Sequence, residues 1–123
     1  MIENNLFVTV DKIIKIVEDM YPKIKDYPIQ LCWDNEIHLQ NYAGLCSYCY
    51  KEKSFTIKLD CEKSKVSTQL ISTLIHEFSH VVTQVYYGNM VHSRTFNKVN
   101  SLIYAKVIGG KSEIRRLKKL GYK

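Results

Sequence analysis

The sequence lacks a long apolar run, and its first residues lack the basic region of a secretory signal. No hydrophobic stretch approaches the roughly 20 residues that a membrane-spanning helix needs. The start, Met1-Ile2-Glu3-Asn4-Asn5, has no Lys or Arg ahead of an apolar segment, whereas a signal peptide opens with such residues. We therefore expect a cytoplasmic protein that makes no membrane contact.

The four cysteines lack a second C-x-x-C, and their spacing does not define a disulfide framework. The cysteines are Cys32, Cys46, Cys49 and Cys61, and a single C-x-x-C occurs at Cys46 and Cys49. In a cytosolic chain such residues are expected as thiols. Residues three apart in a strand point to opposite faces, which disfavours joint ligation by Cys46 and Cys49. A four-thiolate zinc site and ordinary thiols both stay open, so these residues receive no role.

The length and the hydrophobic pattern predict a single domain over residues 1–123. An apolar stripe within residues 5–21 predicts an N-terminal helix that ends before Pro22. From Pro28 the spacing of apolar residues changes from helical to alternating, which predicts strands at residues 29–33, 42–50 and 54–59. A helix of about twenty residues follows and ends near Gly88, because apolar residues recur there at three- and four-residue spacing.

That long helix carries the sequence His76-Glu77-Phe78-Ser79-His80, an H-E-x-x-H pattern. In a helix, His76 and His80 lie one turn apart on the same face. Both imidazoles can then bind one zinc ion, and Glu77 stands beside them to accept a proton from water. The pattern predicts a metal site with a general base.

A third histidine follows at a suitable distance. A short loop after Gly88 would return the chain and bring His92 to the same metal. Three protein ligands and one open position for water are typical of a catalytic zinc. We expect one Zn²⁺ per chain, held by His76, His80 and His92, with Glu77 as the catalytic base.

The surroundings of the site are less closely determined by the sequence. Residues from Ser93 to about position 107 predict a further helix, capped by Ser93, with Phe96 beneath the metal site.

A second donor for the oxyanion that develops during peptide hydrolysis is usually needed. Tyr86, Tyr87 and Arg94 stay open as candidates. His38 is expected to be a solvated loop residue rather than a substrate contact.

These motifs resemble those of the SprT-like zinc metalloproteases over about residues 28–105. His92-Ser93-Arg94-Thr95-Phe96 is similar to the H-G-x-x-F element of that family. Trp33-Asp34-Asn35, Ala43-Gly44 and Ile57-Lys58-Leu59 are similar to its Trp-Asn, Ala-Gly and I-x-L signatures, in the same order. Two departures exist: Ser93 replaces the glycine after the third histidine, and the zinc ribbon that often follows the family's protease domain has no counterpart here.

The resemblance implies an α+β fold, a minimal zincin-like domain. It would have an N-terminal helix, a small, mostly antiparallel sheet, and the H-E-x-x-H helix followed by one or two helices. The implied function is a zinc-dependent endopeptidase with a protein or peptide substrate. Two alternatives stay open: a metalloprotease that cleaves repressors or regulators, and a non-catalytic, zinc-stabilised module that binds DNA or protein.

Positive charge is concentrated at the C-terminus. Residues 111–123 hold six Lys and Arg and one Glu, a net +5 of the total +6. They predict a short amphipathic helix with four outward basic residues: Arg115, Arg116, Lys118 and Lys119. Such a face can bind DNA phosphates, or it can be a solvated face of a docked helix. The resemblance favours DNA, because eukaryotic family members digest proteins crosslinked to DNA. The oligomeric state stays open.

Overall fold

The computed structural model describes residues 4–63, 67–109 and Lys119. Over these ranges the chain forms three α-helices: α1 (Asn4–Met20), α2 (Ser67–Tyr87) and α3 (Arg94–Tyr104). The three strands are β1 (Ile29–Asp34), β2 (Gly44–Cys49) and β3 (Ser54–Asp60). Short 3₁₀ helices cover Pro22–Asp26 and Ile37–Gln40, and a π-helical turn, Ala105–Gly109, continues α3. The predicted α+β class is confirmed.

The sheet differs from the expected one in how its strands pair. The strand order is β1-β3-β2, in which β1 and β3 are parallel and β2 and β3 are antiparallel. The sheet is therefore mixed rather than mostly antiparallel. The reason is that β3, the last strand in sequence, takes the central place. The chain passes from β1 through the 3₁₀ helix Ile37–Gln40 to the far edge of the sheet, and a hairpin then returns it to the centre.

Helix α2 forms the middle of the core and packs against the sheet, α1 and α3. Its apolar stripe is fully buried, with Leu70, Leu74 and Val81 at 0% exposure. The inward side chains of β3, Phe55, Ile57 and Leu59, pack against the same cluster. Burial of one such side chain contributes about 1.5–3 kcal/mol, which fixes the position of α2 beneath the sheet. Within the described ranges, none of the helices is long and apolar enough to cross a membrane.

Asp60, the last residue of β3, joins three segments through its carboxylate. It is fully buried. Its Oδ1 accepts hydrogen bonds from the backbone N of His38 (2.9 Å) and lies 2.8 Å from His38 Nδ1. Its Oδ2 accepts from the backbone N of Glu62 (2.9 Å) and of Lys63 (2.8 Å). His38 is thus a half-buried structural residue of a 3₁₀ helix, and the expectation of a solvated loop histidine is wrong.

Asp60 is predicted to stabilise the fold in a pH-dependent way. Burial alone would raise the pKa of Asp60, but hydrogen bonds from the Lys63 backbone and from His38 outweigh it and lower the pKa below its usual value. The stabilisation is fully present above the unfolded-state pKa, about 3.9, and is lost as the pH falls through the folded-state pKa. Asp60→Asn turns an NH₂ group towards backbone donors, and we expect its Tm at pH 7 to fall by about 5–10 °C.

Thermal unfolding at pH 7 and at pH 3 measures this effect. The wild type should lose stability between these values, and Asp60→Asn should lose less. Asp26→Asn makes the same chemical change at an exposed position and should behave as the wild type does at pH 7. Equal Tm values for wild type and Asp60→Asn at pH 7 would contradict the role given to Asp60.

Candidate metal centre

Three histidines direct their ring nitrogens to one point at the edge of α2. His92 Nε2 lies 3.1 Å from His76 Nε2 and 3.0 Å from His80 Nε2. A single Nε2 atom offers either one hydrogen or one lone pair, so His92 cannot make two good hydrogen bonds at once. A shared metal ion removes this conflict, because it uses the lone pairs of all three rings.

The spacing fits a small metal ion. A tetrahedral ion that binds imidazole nitrogens at about 2.0–2.1 Å holds two of them roughly 3.3 Å apart. Possible ligand atoms of the three histidines lie within 4.8 Å of one another, and they form the one group of three or more His, Cys, Asp or Glu side chains so arranged in the described ranges. The residues therefore suit a three-ligand site.

The connection between α2 and α3 places the third histidine. Gly88 ends α2 with φ at 79°, a left-handed conformation that glycine adopts without strain. Ser93 caps α3, as expected, by accepting a hydrogen bond from the backbone N of Phe96 at 3.2 Å. These two ends confine His92 to a short loop that faces α2.

Phe96 forms the floor of the site. Its ring is 3% exposed, and its centroid lies 5.0 Å from that of His76, 4.5 Å from His80 and 4.9 Å from His92. An aromatic ring in this position limits how far each imidazole can tilt. The first turn of α3 therefore orients all three histidines.

Burial keeps two of the histidines neutral. Burial and the nearby charge of His92 lower the pKa of His76 below its ordinary value. Burial, followed by the charges of His76 and His92, lowers the pKa of His80 to about 4, against a smaller opposing effect of the Met90 backbone carbonyl. Neutral imidazole is the form that binds metal. His80 Nδ1 is buried without a hydrogen bond of good geometry.

Glu77 lies on the same turn of α2 as His76, and its side chain packs against strand β2. Its side chain is 5% exposed, and burial raises the pKa of Glu77 to about 7. Gly44 makes this packing possible, because a Cβ there would lie 2.6 Å from Thr73 Cγ2 and 3.1 Å from Glu77 Oε2. A carboxyl group with a pKa near neutrality is well suited to accept and return a proton.

A hydrogen-bonded contact also joins α2 to α3 next to the three histidines. Ser79 Oγ lies 2.7 Å from the carbonyl of Ile75 and 3.2 Å from Asn100 Oδ1, and its hydroxyl can donate to either acceptor. This contact holds the helices that carry His80 and Phe96.

A cleft of about 330 Å³ opens beside His76 and Glu77. Its other wall comes from the segment before β2 and from the start of that strand. The cleft is lined by Asn41, Tyr42, Ala43, Gly44, Ser72, Thr73, His76 and Glu77. Sequence reasoning missed Asn41 and Tyr42, although their place directly before Ala43-Gly44 was a usable signal.

Tyr86, one of the candidate oxyanion donors, contacts the N-terminal part of the chain. Tyr86 packs edge-on against Tyr21, and its hydroxyl accepts a hydrogen bond from the backbone N of Lys23 at 3.1 Å. Neither Tyr86, Tyr87 nor Arg94 is among the described residues that line the cleft.

The cysteines and the basic tail stand apart from the site. All four cysteines are free, and Cys46 is half-buried while Cys49 is exposed, as opposite faces of β2 require. Burial, with a smaller effect of Glu77, raises the pKa of the Cys46 thiol, which keeps it protonated. Arg115, Arg116 and Lys118 lie outside the described residues; Lys119 has a helical backbone and is exposed.

An H-E-x-x-H helix under a small sheet, with a third histidine from the next loop, defines the zincin class of metalloprotease domains. Residues 11–116 match the model of the SprT-like family. The chain therefore belongs to the SprT-like family, whose members are in general zinc-dependent. Neither the curated proteins nor the solved structures compared with the chain gave a match.

Removal of the third histidine tests the metal site. His92→Ala leaves two ligands, and we expect zinc affinity to fall by more than the roughly 10–100-fold that loss of an outer contact costs. Native mass spectrometry should show one zinc per wild-type chain and almost none in the variant. His38→Ala, a histidine outside the site, should keep its zinc. Full zinc occupancy in His92→Ala would remove His92 as a ligand.

Proposed function

We propose that this protein is a zinc-dependent endopeptidase. The observation that carries the proposal is the convergence of three Nε2 atoms beside a buried carboxylate, at a cleft bordered by the start of β2, an edge strand of the described sheet. His76, His80 and His92 would hold the ion. A zinc ion so bound supplies a water of lowered pKa and polarises the carbonyl of the substrate.

Glu77 supplies the proton chemistry. Its carboxylate accepts a proton as water attacks the carbonyl carbon of the peptide, and it later gives that proton to the leaving amine. Within the described residues, the Glu77 side chain has no ion pair or hydrogen bond, so it serves no evident structural purpose. A structural zinc site has no need of such a group, and this disfavours a non-catalytic zinc module.

The substrate is proposed to lie along β2. Asp60 N donates to Ala43 O at 2.8 Å, which makes this pair a hydrogen-bonded one in the antiparallel register. By alternation, the backbone groups of Gly44, Cys46 and Tyr48 point away from β3. They can pair with any extended chain, because main-chain hydrogen bonds do not depend on sequence.

Replacement of the base tests the activity. Glu77→Gln keeps the shape of the side chain but cannot accept a proton, so peptide cleavage should fall by about 10²–10⁴-fold. Zinc content and Tm should match the wild type. Cleavage of casein and of the chain itself, followed by mass spectrometry, measures the activity. Equal turnover in the two proteins would mean that the activity belongs to another site.

We propose DNA-bound or DNA-crosslinked proteins as the substrates, because positive charge is concentrated in the C-terminal part of the sequence. Residues 78–123 contain nine Lys and Arg and one Glu, whereas residues 1–77 contain nine Lys and Arg and eleven Asp and Glu. Within the described part, Arg94 and Lys106 are exposed on the α3 side of the metal site. A segment with this excess of Lys and Arg attracts a polyanion such as DNA. A repressor-cleaving protease would instead need a protein partner, and its cleavage would not depend on DNA.

Charge reversal in the tail tests the DNA contact. Changing Arg115, Arg116, Lys118 and Lys119 to Glu should weaken binding to a 20-nucleotide single strand by at least about tenfold, and the wild-type log K should fall with log salt by roughly 0.7 per phosphate neutralised. Fluorescence anisotropy measures both.

The matched control reverses four exposed lysines elsewhere in the sequence: Lys23, Lys25, Lys51 and Lys53. This control has the same net charge as the tail variant, and it should retain most of the wild-type affinity. A chain truncated after Gly110 is measured beside it. Undiminished binding in both tail constructs would exclude the tail as the DNA contact.

A further inference from the structure

Peptide hydrolysis places negative charge on the former carbonyl oxygen, and a hydrogen-bond donor from the protein is needed there. The cleft next to His76 and Glu77 contains few neutral donors. Ser72 and Thr73 are helical residues with short side chains, and the methyl group of Thr73 faces Gly44. On the opposite wall, the remaining side-chain donors are those of Asn41 and Tyr42.

The backbone of Tyr42 is held on both sides. Its own N donates to the carbonyl of Ile37 at 3.2 Å, and the next residue, Ala43, accepts from Asp60 N at 2.8 Å. Asn41, just before it, has φ at 67°, and its N donates to the carbonyl of His38 at 2.9 Å. Asp60 in turn is fixed by its buried contacts. Tyr42 is therefore presented by a rigid segment.

The side chain of Tyr42 remains available. It is 47% exposed, and its hydroxyl makes no hydrogen bond to any residue of the described ranges. A phenol is a stronger donor than the amide of Asn41 and stands at the end of a longer side chain. The Tyr42 hydroxyl is therefore a donor without a partner in the described ranges, on a fixed backbone and in the cleft that Glu77 lines. These are the properties required of the second oxyanion donor.

We propose that Tyr42 is a further catalytic residue, whose hydroxyl donates a hydrogen bond to the oxygen of the scissile carbonyl; this rests on the proposed endopeptidase function. As water forms its bond to carbon, the carbonyl π pair moves to oxygen and one water proton moves to Glu77. Tyr42 keeps its own proton and shares it with that oxygen. The C–N bond then breaks, the carbonyl re-forms, and Glu77 gives its proton to the amine.

The test compares wild type with Tyr42→Phe, which removes the hydroxyl alone. For zinc-loaded protein acting on fluorescein-labelled casein, we expect kcat to fall by about 10²-fold, the usual effect of one lost oxyanion donor, with KM nearly unchanged. Tyr50→Phe is the matched control, since Tyr50 follows β2 and is 73% exposed, and its kcat should not change. Zinc content and Tm should be equal in all three proteins.

Inhibitor binding gives a readout that does not depend on turnover. A short phosphinic peptide carries a tetrahedral group with an oxyanion, and Tyr42→Phe should bind it at least about tenfold more weakly. Acetohydroxamate, which lacks the tetrahedral centre, should bind both proteins equally.

The outcomes separate two kinds of failure. If zinc-loaded wild type cleaves neither casein nor itself, the endopeptidase proposal is wrong, and the role of Tyr42 falls with it. If wild type cleaves and Tyr42→Phe keeps its kcat, only the role of Tyr42 is wrong. A raised KM in Tyr42→Ala, with full kcat in Tyr42→Phe, would mean that the ring binds a substrate side chain and the hydroxyl is not used.

Discussion

The close approach of strand β2 to helix α2 is the constraint on which the site depends. At Gly44 the two elements come so near that a methyl group would displace Thr73 or Glu77. This contact buries most of the Glu77 side chain, and burial raises the pKa of Glu77 to about 7. The same contact brings the start of β2 and His76 to one cleft. In the proposed endopeptidase, the base and the pairing of substrate with β2 would both depend on this glycine.

Much of this arrangement could be read from the sequence, because local periodicity determines it. The stripe of Leu70, Leu74, Phe78 and Val81 predicts α2, and the helical repeat alone puts His76 and His80 on one face. The cap at Ser93 and the glycine at position 88 likewise act within a few residues of themselves. Such signals depend on neighbouring residues and not on the rest of the fold.

The features that the sequence did not reveal depend on distant contacts. The central place of β3 is set by which inward faces pack best on α2, and strand alternation does not encode that choice. The pairing of His38 with Asp60 joins residues 22 positions apart, so His38 looked like a loop residue. Tyr42 was overlooked for the same reason: its backbone is fixed by Ile37 and Asp60, and a one-dimensional pattern contains neither contact.

The short loop between α2 and α3 keeps the three histidines within one local segment of the chain. His76, His80 and His92 lie within 17 consecutive residues, so an ion bound by them closes only a small loop, at low entropic cost. The three histidines therefore come together within the α2–α3 hairpin, and no strand of the described sheet contributes to their arrangement. The burial of Glu77, in contrast, depends on the contact between α2 and β2. In the proposed endopeptidase, the metal ligands and the environment of the base would thus be set by separate parts of the fold.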